Sequence, residues 1–294
     1  MKITVSKGAG FCPGVRHADE IINELIQRKE NGERIYTLGS LIHNRLYNEN
    51  LKTRGVSSIE FDDIERILFE TKDKVTLAVR THGIPREQMN FLLTLKQRYQ
   101  NFDVCDLTCP YVKRIHKIAE ENTNENTIFI LFGSVDHPEV KGIMSYAKGE
   151  KVVISSLKEA ESLDLKNKIP ILCSQTTQNL LEFKKIKKFL KNLCTNSIFF
   201  DTICSVTENR QNEAIKIAKN SDVMIVIGGK ESSNTHRLYE LCQNVCSDTR
   251  WIESYEELLT DFPDNADCVG ITAGASTPDG IIMEVLKLWK KTKM

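Results

Sequence analysis

The chain has 294 residues, 40% of them hydrophobic, and its 40 basic and 40 acidic side chains cancel to zero formal charge. That length supports two or three domains with their own cores, and the neutral balance excludes a general nucleic-acid or membrane-surface binder, so any anion must be held locally. No apolar run approaches the roughly 18 residues of a membrane span, the opening MKITVSKGAGF lacks a signal-peptide core, and the cysteine count is odd; together these predict a cytoplasmic protein with reduced thiols.

The first predicted element is a strand that runs into KGAGFCPGVRHADEII. Val15, Ala18, Ile21, Ile22, Leu25 and Ile26 recur at helical spacing, and Pro13 suits a first helical position, which needs no N–H. Cys12 therefore stands at or near an N-cap, where the positive end of a helix dipole favours anions, thiolates among them. The same strand, cysteine, helix order returns in NFDVCDLTCPYVKRIHKIAEEN and SIFFDTICSVTENRQNEAIKIAKN, with Cys109 and Cys204 at separations of 97 and 95 residues.

Next in each copy comes an apolar strand entering a polar turn: RIYTLGSLIHNRL, TIFILFGSVDHPEVKGI and DVMIVIGGKESSNTHRL. His43, His137 and Ser232 keep step here, followed by Glu139, Ser233 and Asn234. A strand leading to an acidic, helical segment follows in VSSIEFDDIERI, KVVISSLKEAESL and TRWIESYEELL. The fourth element, KVTLAVRTHGIP, KIPILCSQTTQN and DCVGITAGASTPD, brings His82, Thr176 and Ser276 to matching places. Four strand-and-helix pairs repeated three times predict three similar small α/β domains with parallel sheets, over residues 1–97, 98–195 and 196–294. The polar residues fall just after strands, where such sheets bind ligands. A pseudo-threefold arrangement with those ends turned to a common centre brings the three cysteines near one axis.

Three such thiols suit an iron–sulfur cluster better than structural zinc, whose ligands come in close pairs; no CxxC pair occurs. A four-iron cluster with three protein ligands keeps one iron open, able to act as a Lewis acid on a substrate oxygen while the cluster supplies electrons. His43, His82, His137, Thr176, Thr177, Ser232, Ser233, Asn234 and Ser276 are hydrogen-bonding residues suited to a phosphate or diphosphate. Glu139, with the Thr176 hydroxyl, is the candidate for passing a proton to the substrate.

The motifs GFCPGV, LIHNR, THG, TCPYVKRIH, HPEV, SQTT, DTICSVTENRQ, SSN and TAGAS, in this order over the full chain, resemble those of the 4-hydroxy-3-methylbut-2-enyl diphosphate reductase family. The resemblance implies a three-domain trefoil around a [4Fe–4S] cluster held by Cys12, Cys109 and Cys204. It implies an allylic diphosphate substrate whose hydroxyl binds the open iron and leaves as water, giving isopentenyl and dimethylallyl diphosphates. It also implies an electron donor such as ferredoxin or flavodoxin, with no nucleic-acid or membrane partner. Carried over by position, His43, His82, His137, Ser232, Asn234 and Ser276 bind the diphosphate with Ser233 beside them, Glu139 and Thr176 are catalytic, and Gln175 and Thr177 flank Thr176. Leu107 and Val206 stand where the family often has alanine, exchanges that remove no ligand.

Cys105, Cys173, Cys194, Cys242, Cys246 and Cys268 lack threefold counterparts and read as structural, as do His17, His116 and His236 within helical stretches. The basic run EFKKIKKFLKN reads as a solvated amphipathic helix, or as a face for an acidic electron carrier. A quinolinate-synthase-like dehydratase is the rival among cluster enzymes, but a dicarboxylate favours arginine at the pocket turns, and Arg80 and Arg210 belong to no threefold set. A cluster-bearing sensor is the non-enzymatic alternative; it requires an output surface such as a basic nucleic-acid face.

Overall fold

The computed structural model describes residues 2–165, 167–260, 262–263 and 265–291. The elements begin with β1 (Lys2–Val5), α1 (Pro13–Gln27), β2 (Arg34–Leu38), α2 (Arg45–Thr53), β3 (Val56–Ile59), α3 (Ile64–Glu70), β4 (Val75–Val79) and α4 (Arg86–Arg98). They continue with β5 (Phe102–Asp106), α5 (Pro110–Asn122), β6 (Thr127–Phe132), α6 (Pro138–Tyr146), β7 (Glu150–Ile154), α7 (Leu157–Glu161), β8 (Ile169–Ser174) and α8 (Leu180–Leu193). The last third supplies β9 (Ile198–Phe199), α9 (Ser205–Ala218), β10 (Val223–Ile227), α10 (Ser233–Gln243), β11 (Asp248–Ile252), β12 (Cys268–Ala273) and α11 (Asp279–Lys291). The expected rhythm runs three times, except that the acidic segment after β11 is a short 3-10 turn, Tyr255–Leu258.

The strands form three all-parallel four-stranded sheets with one shared order: β3-β2-β4-β5, β7-β6-β8-β9 and β11-β10-β12-β1. The runs VTLAV of β4, TIFILF of β6 and VMIVI of β10 are buried at every residue, as strands covered on both faces must be. In the second sheet Ile128, Ile130 and Phe132 of β6 pack with Phe183, Ile186 and Leu190 of α8, while Phe129 and Leu131 turn to Ile115, Ala119 and Ile143 of α5 and α6. This is the period-two alternation of a strand, read by a helix layer on either side.

Sheets and sequence repeats are out of phase. The fourth strand of each sheet is the one that leads to the next cysteine: β5 pairs with β4, and β9 with β8. In the third sheet, β1 from the start of the chain pairs with β12, Lys2 opposite Cys268 and Val5 opposite Ile271. The boundaries near residues 97 and 195 thus mark the period of the sequence, while each sheet draws its edge strand from across such a boundary. The physical reason is local: a parallel edge strand needs only an open neighbour, and β4, β8 and β12 each offer one.

The chain divides into two compact units, Met1–Asp19 with Ile42–Asn50 and Ser205–Met294, and Glu20–Leu41 with Leu51–Cys204. The first holds the β11-β10-β12-β1 sheet, and the second holds the other two. In every sheet the chain turns to opposite sides after its first strand, so the switch in strand order lies between the two central strands. The loops beyond the carboxyl ends of those central strands are where an α/β sheet presents groups to a ligand.

Candidate active site

Every polar residue singled out in the sequence follows a central strand: His43 comes after β2, His82 after β4, His137 and Glu139 after β6, Thr176 after β8, Ser232, Ser233 and Asn234 after β10, and Ser276 after β12. The three cysteines follow the edge strands instead. Each directly precedes a helix, and each is tied by its N–H to the loop after the neighbouring central strand. Cys109 N–H donates to the Thr81 carbonyl (3.0 Å), Cys204 N–H to that of Thr176 (3.1 Å) and Cys12 N–H to that of Ala275 (3.1 Å). One backbone contact, made three times, fixes each thiol beside a donor-bearing loop. All three are half-buried and unbridged.

In the larger unit, Pro138 opens α6 and His137 caps it, its Nδ1 accepting the Glu139 N–H at 3.1 Å; a neutral imidazole at this position therefore carries its proton on Nε2. The His82 and His137 rings meet edge to face with centroids 5.4 Å apart. Glu139 is 2% exposed, and its Oε1 accepts the Thr176 N–H at 2.7 Å while Oε2 accepts the Thr176 hydroxyl at 2.8 Å. Burial pushes this carboxyl up to about 7, against the pull of the two Thr176 hydrogen bonds. Thr176 thus joins the one buried acid of this loop pair to the backbone of Cys204.

The supporting residues are ones that sequence reading left without a role or passed over. Gln175 is fully buried; its Oε1 accepts the Ser134 N–H at 3.1 Å and its Nε2 donates to Thr177 Oγ1 at 3.2 Å, so it stitches the turn before His137 to the Thr176 loop. Asp106 accepts the Thr108 N–H (3.0 Å) and hydroxyl (2.5 Å) and pairs with Lys113 (2.6 Å), bracing the turn into Cys109. Burial opposes its charge, but these contacts outweigh burial and hold the carboxyl below its usual range. Gly83, at φ +73°, lies where a Cβ would stand 3.0 Å from His116 and Thr108, so only glycine brings His82 this close to α5. His116 is buried and stacks on Tyr146 at 4.2 Å, and burial pulls its imidazole down to about 4, in keeping with a structural reading.

In the other unit the donors gather at the N-terminus of α10. Ser232 caps the helix, its Oγ accepting the Thr235 N–H at 3.3 Å, and the Ser276 hydroxyl lies 3.3 Å from Ser232 Oγ and 3.2 Å from the His43 carbonyl. Ser232, Asn234 and Ser276 are 4%, 5% and 7% exposed. Asn234 Nδ2 is buried with no partner among the described residues. A buried amide left this way costs free energy unless an acceptor is supplied, and the free N–H groups of a helix start beside it suit an anion. A Cβ on Gly229 would stand 2.5 Å from the His43 carbonyl oxygen, so the Gly-Gly pair after β10 lets the His43 loop approach this helix end.

The residues fit a thiol-bound metal cluster and an anion on chemical grounds: thiols at three helix starts, and hydroxyl, amide and imidazole donors on the adjoining loops. The two arginines that a dicarboxylate would call on are engaged with backbone carbonyls. Arg80 donates to the Gly83 carbonyl (3.4 Å) and Arg210 to that of Ala273 (2.6 Å). Cys173 and Cys242 are fully buried, and burial raises both thiols to about 12. No helix among the described residues is long and apolar enough to cross a membrane.

Fold and site define an α/β protein of three like-ordered parallel sheets, with thiols after the edge strands and hydrogen-bonding polar side chains after the central ones. Comparison with known proteins makes this specific: the family profile described as LytB protein matches residues 3–290, and the chain belongs to that family. It is 40% identical over 288 residues to the 4-hydroxy-3-methylbut-2-enyl diphosphate reductase of Campylobacter hominis, covering 98% of each chain. It is 36% identical over 293 residues to that of Caldanaerobacter subterraneus, covering 100% of this chain and 98% of the relative. Among solved structures it is similar to an (E)-4-hydroxy-3-methyl-but-2-enyl diphosphate reductase described as the terminal enzyme of the non-mevalonate pathway (TM-score 0.69, 34% identity, 99% of this chain and 100% of that one). A second is the E-1-hydroxy-2-methyl-but-2-enyl-4-diphosphate reductase from Plasmodium falciparum (TM-score 0.84, 26% identity, 98% and 87%).

Proposed function

We propose that the chain reduces (E)-4-hydroxy-3-methylbut-2-enyl diphosphate to isopentenyl and dimethylallyl diphosphates, the last step of the non-mevalonate route to isoprenoids. The carbon–oxygen bond of the allylic alcohol breaks; two electrons and two protons enter, the oxygen leaves as water, and one proton ends on carbon. Cys12, Cys109 and Cys204 would hold a [4Fe–4S] cluster with one open iron, which when bound supplies the electrons and a Lewis-acid site for the hydroxyl. A protein electron carrier of the ferredoxin or flavodoxin kind delivers the reducing equivalents.

The diphosphate is the anion that Asn234, Ser232 and Ser276 take up, with His43, His82, His137 and Ser233 contributing donors. Protonated on Oε2, the Glu139 carboxyl donates to Thr176 Oγ1, the reverse of the bond the carboxylate accepts, and passes its proton through that hydroxyl to the departing oxygen, while Gln175 keeps the Thr176 loop in register. The observation that carries this reading is the Glu139–Thr176 pair, a buried acid that burial pushes up to about 7, hydrogen-bonded to the residue whose carbonyl anchors Cys204. The test is turnover of the diphosphate alcohol under anaerobic conditions with dithionite as reductant. Formation of both five-carbon diphosphates is expected, and an iron-loaded chain that forms neither contradicts the reading.

A further inference from the structure

Reductive removal of a hydroxyl consumes electrons that another molecule must bring, and one helix of this chain carries an exposed basic stripe. The apolar side of α8, through Phe183, Ile186 and Leu190, is buried in a cluster that also takes in Ile203, the residue directly before Cys204. The outer side carries Lys184, Lys188 and Lys191 at four- and three-residue steps, a single stripe along the helix. All three are exposed and have no ion-pair partner among the described residues. The flanking lysines are engaged: Lys185 bonds Glu182 (3.1 Å), and Lys187 grips both carboxylate oxygens of Asp201 (2.7 and 2.9 Å) three residues before Cys204. Glu182 and Asp201 are thereby compensated, and the stripe keeps its positive charge on a chain whose overall charge is zero.

Leu181, one turn before Lys184, is 61% exposed at the start of the stripe. A row of lysines without ion-pair partners, beside an exposed leucine, matches an acidic partner held by charge for fast encounter and by a small apolar contact for register. From the proposed reductase activity, on which this step rests, we infer that the outer face of α8 is the docking surface for an acidic electron-carrier protein. A carrier seated there is separated from the segment entering Cys204 by one helix, about 10–12 Å with its side chains.

The experiment uses the iron-loaded chain and a purified acidic [2Fe–2S] ferredoxin. Zero-length carbodiimide cross-linking joins lysine amines to carboxylates in contact, and mapped cross-links are expected at Lys184, Lys188 and Lys191. The triple variant Lys184→Glu, Lys188→Glu, Lys191→Glu is expected to bind ferredoxin about tenfold or more weakly at low salt and to raise the KM for it, with iron content and dithionite-driven turnover unchanged. Cross-links that map to other lysines, or equal ferredoxin affinity in variant and wild type, overturn the docking surface. Loss of dithionite-driven turnover in the wild-type chain itself instead overturns the reductase reading.

Discussion

Glu139 is held between opposing influences: burial drives it toward the neutral acid, and two hydrogen bonds from Thr176 favour the carboxylate. Burial wins, because the carboxyl rises from 4.5 to about 7. Below pH 4.5 folded and unfolded chains are both protonated here; between 4.5 and about 7 the folded chain binds the extra proton, so this group's contribution is lost as pH rises through that window. For turnover, the proton donor is depleted above pH 7, so the rate with saturating dithionite is expected to fall on that side. Glu139→Gln keeps an acceptor for the Thr176 N–H and donates its amide to the Thr176 hydroxyl, but carries no transferable proton. Its turnover is expected to drop about 10²–10⁴-fold without the alkaline inflection, at unchanged iron content, and full activity in this variant removes the proton-delivery role.

Asn234 gives a residue-scale prediction of another kind. Its unpartnered buried amide costs about 1–3 kcal/mol in the ligand-free chain, so Asn234→Leu is expected to melt at the same or a higher temperature. The stabilisation that inorganic pyrophosphate confers on the wild type should disappear in the variant. A lower melting temperature with that stabilisation retained contradicts an anion site at α10. Sequence offsets alone brought these polar residues to notice, because each stands at a fixed distance beyond a repeated strand. Gln175, Asp106 and Lys113 carried no such signal; their partners lie in turns that only the folded chain brings together.

At the scale of elements, the alternation of short apolar runs with amphipathic stretches was enough to predict parallel sheets, since buried β4, β6 and β10 cannot stand at an exposed edge. The partner of each edge strand was not legible. β5, β9 and β1 are short or partly polar, and nothing in their residues says whether they pair backward or forward along the chain; the open edges of β4, β8 and β12 decide. The junction after β10 is tested by Gly229→Ala. The added methyl meets the His43 carbonyl at 2.5 Å, so either the His43 loop or the start of α10 must move. The expected outcome is about 1–3 kcal/mol of destabilisation in denaturant unfolding together with about tenfold weaker pyrophosphate binding. A variant equal to wild type in both shows that the close approach positions nothing.

For the molecule as a whole, three cysteines spread along the chain share one local design, a half-buried thiol at a helix start with its N–H tied to the loop after the neighbouring central strand. A threefold repeat in sequence has become a threefold repeat of cysteine placement, and the remaining cysteines, with Cys173 and Cys242 deep in the cores, stand outside that pattern. The most direct test is iron and acid-labile sulfide analysis of the anaerobically purified chain beside Cys12→Ser, Cys109→Ser and Cys204→Ser variants. The account predicts about four irons and four sulfides per wild-type chain and loss of the intact cluster in every variant. A wild-type chain that stays free of iron after anaerobic reconstitution, or three variants that each keep the full complement, contradicts it.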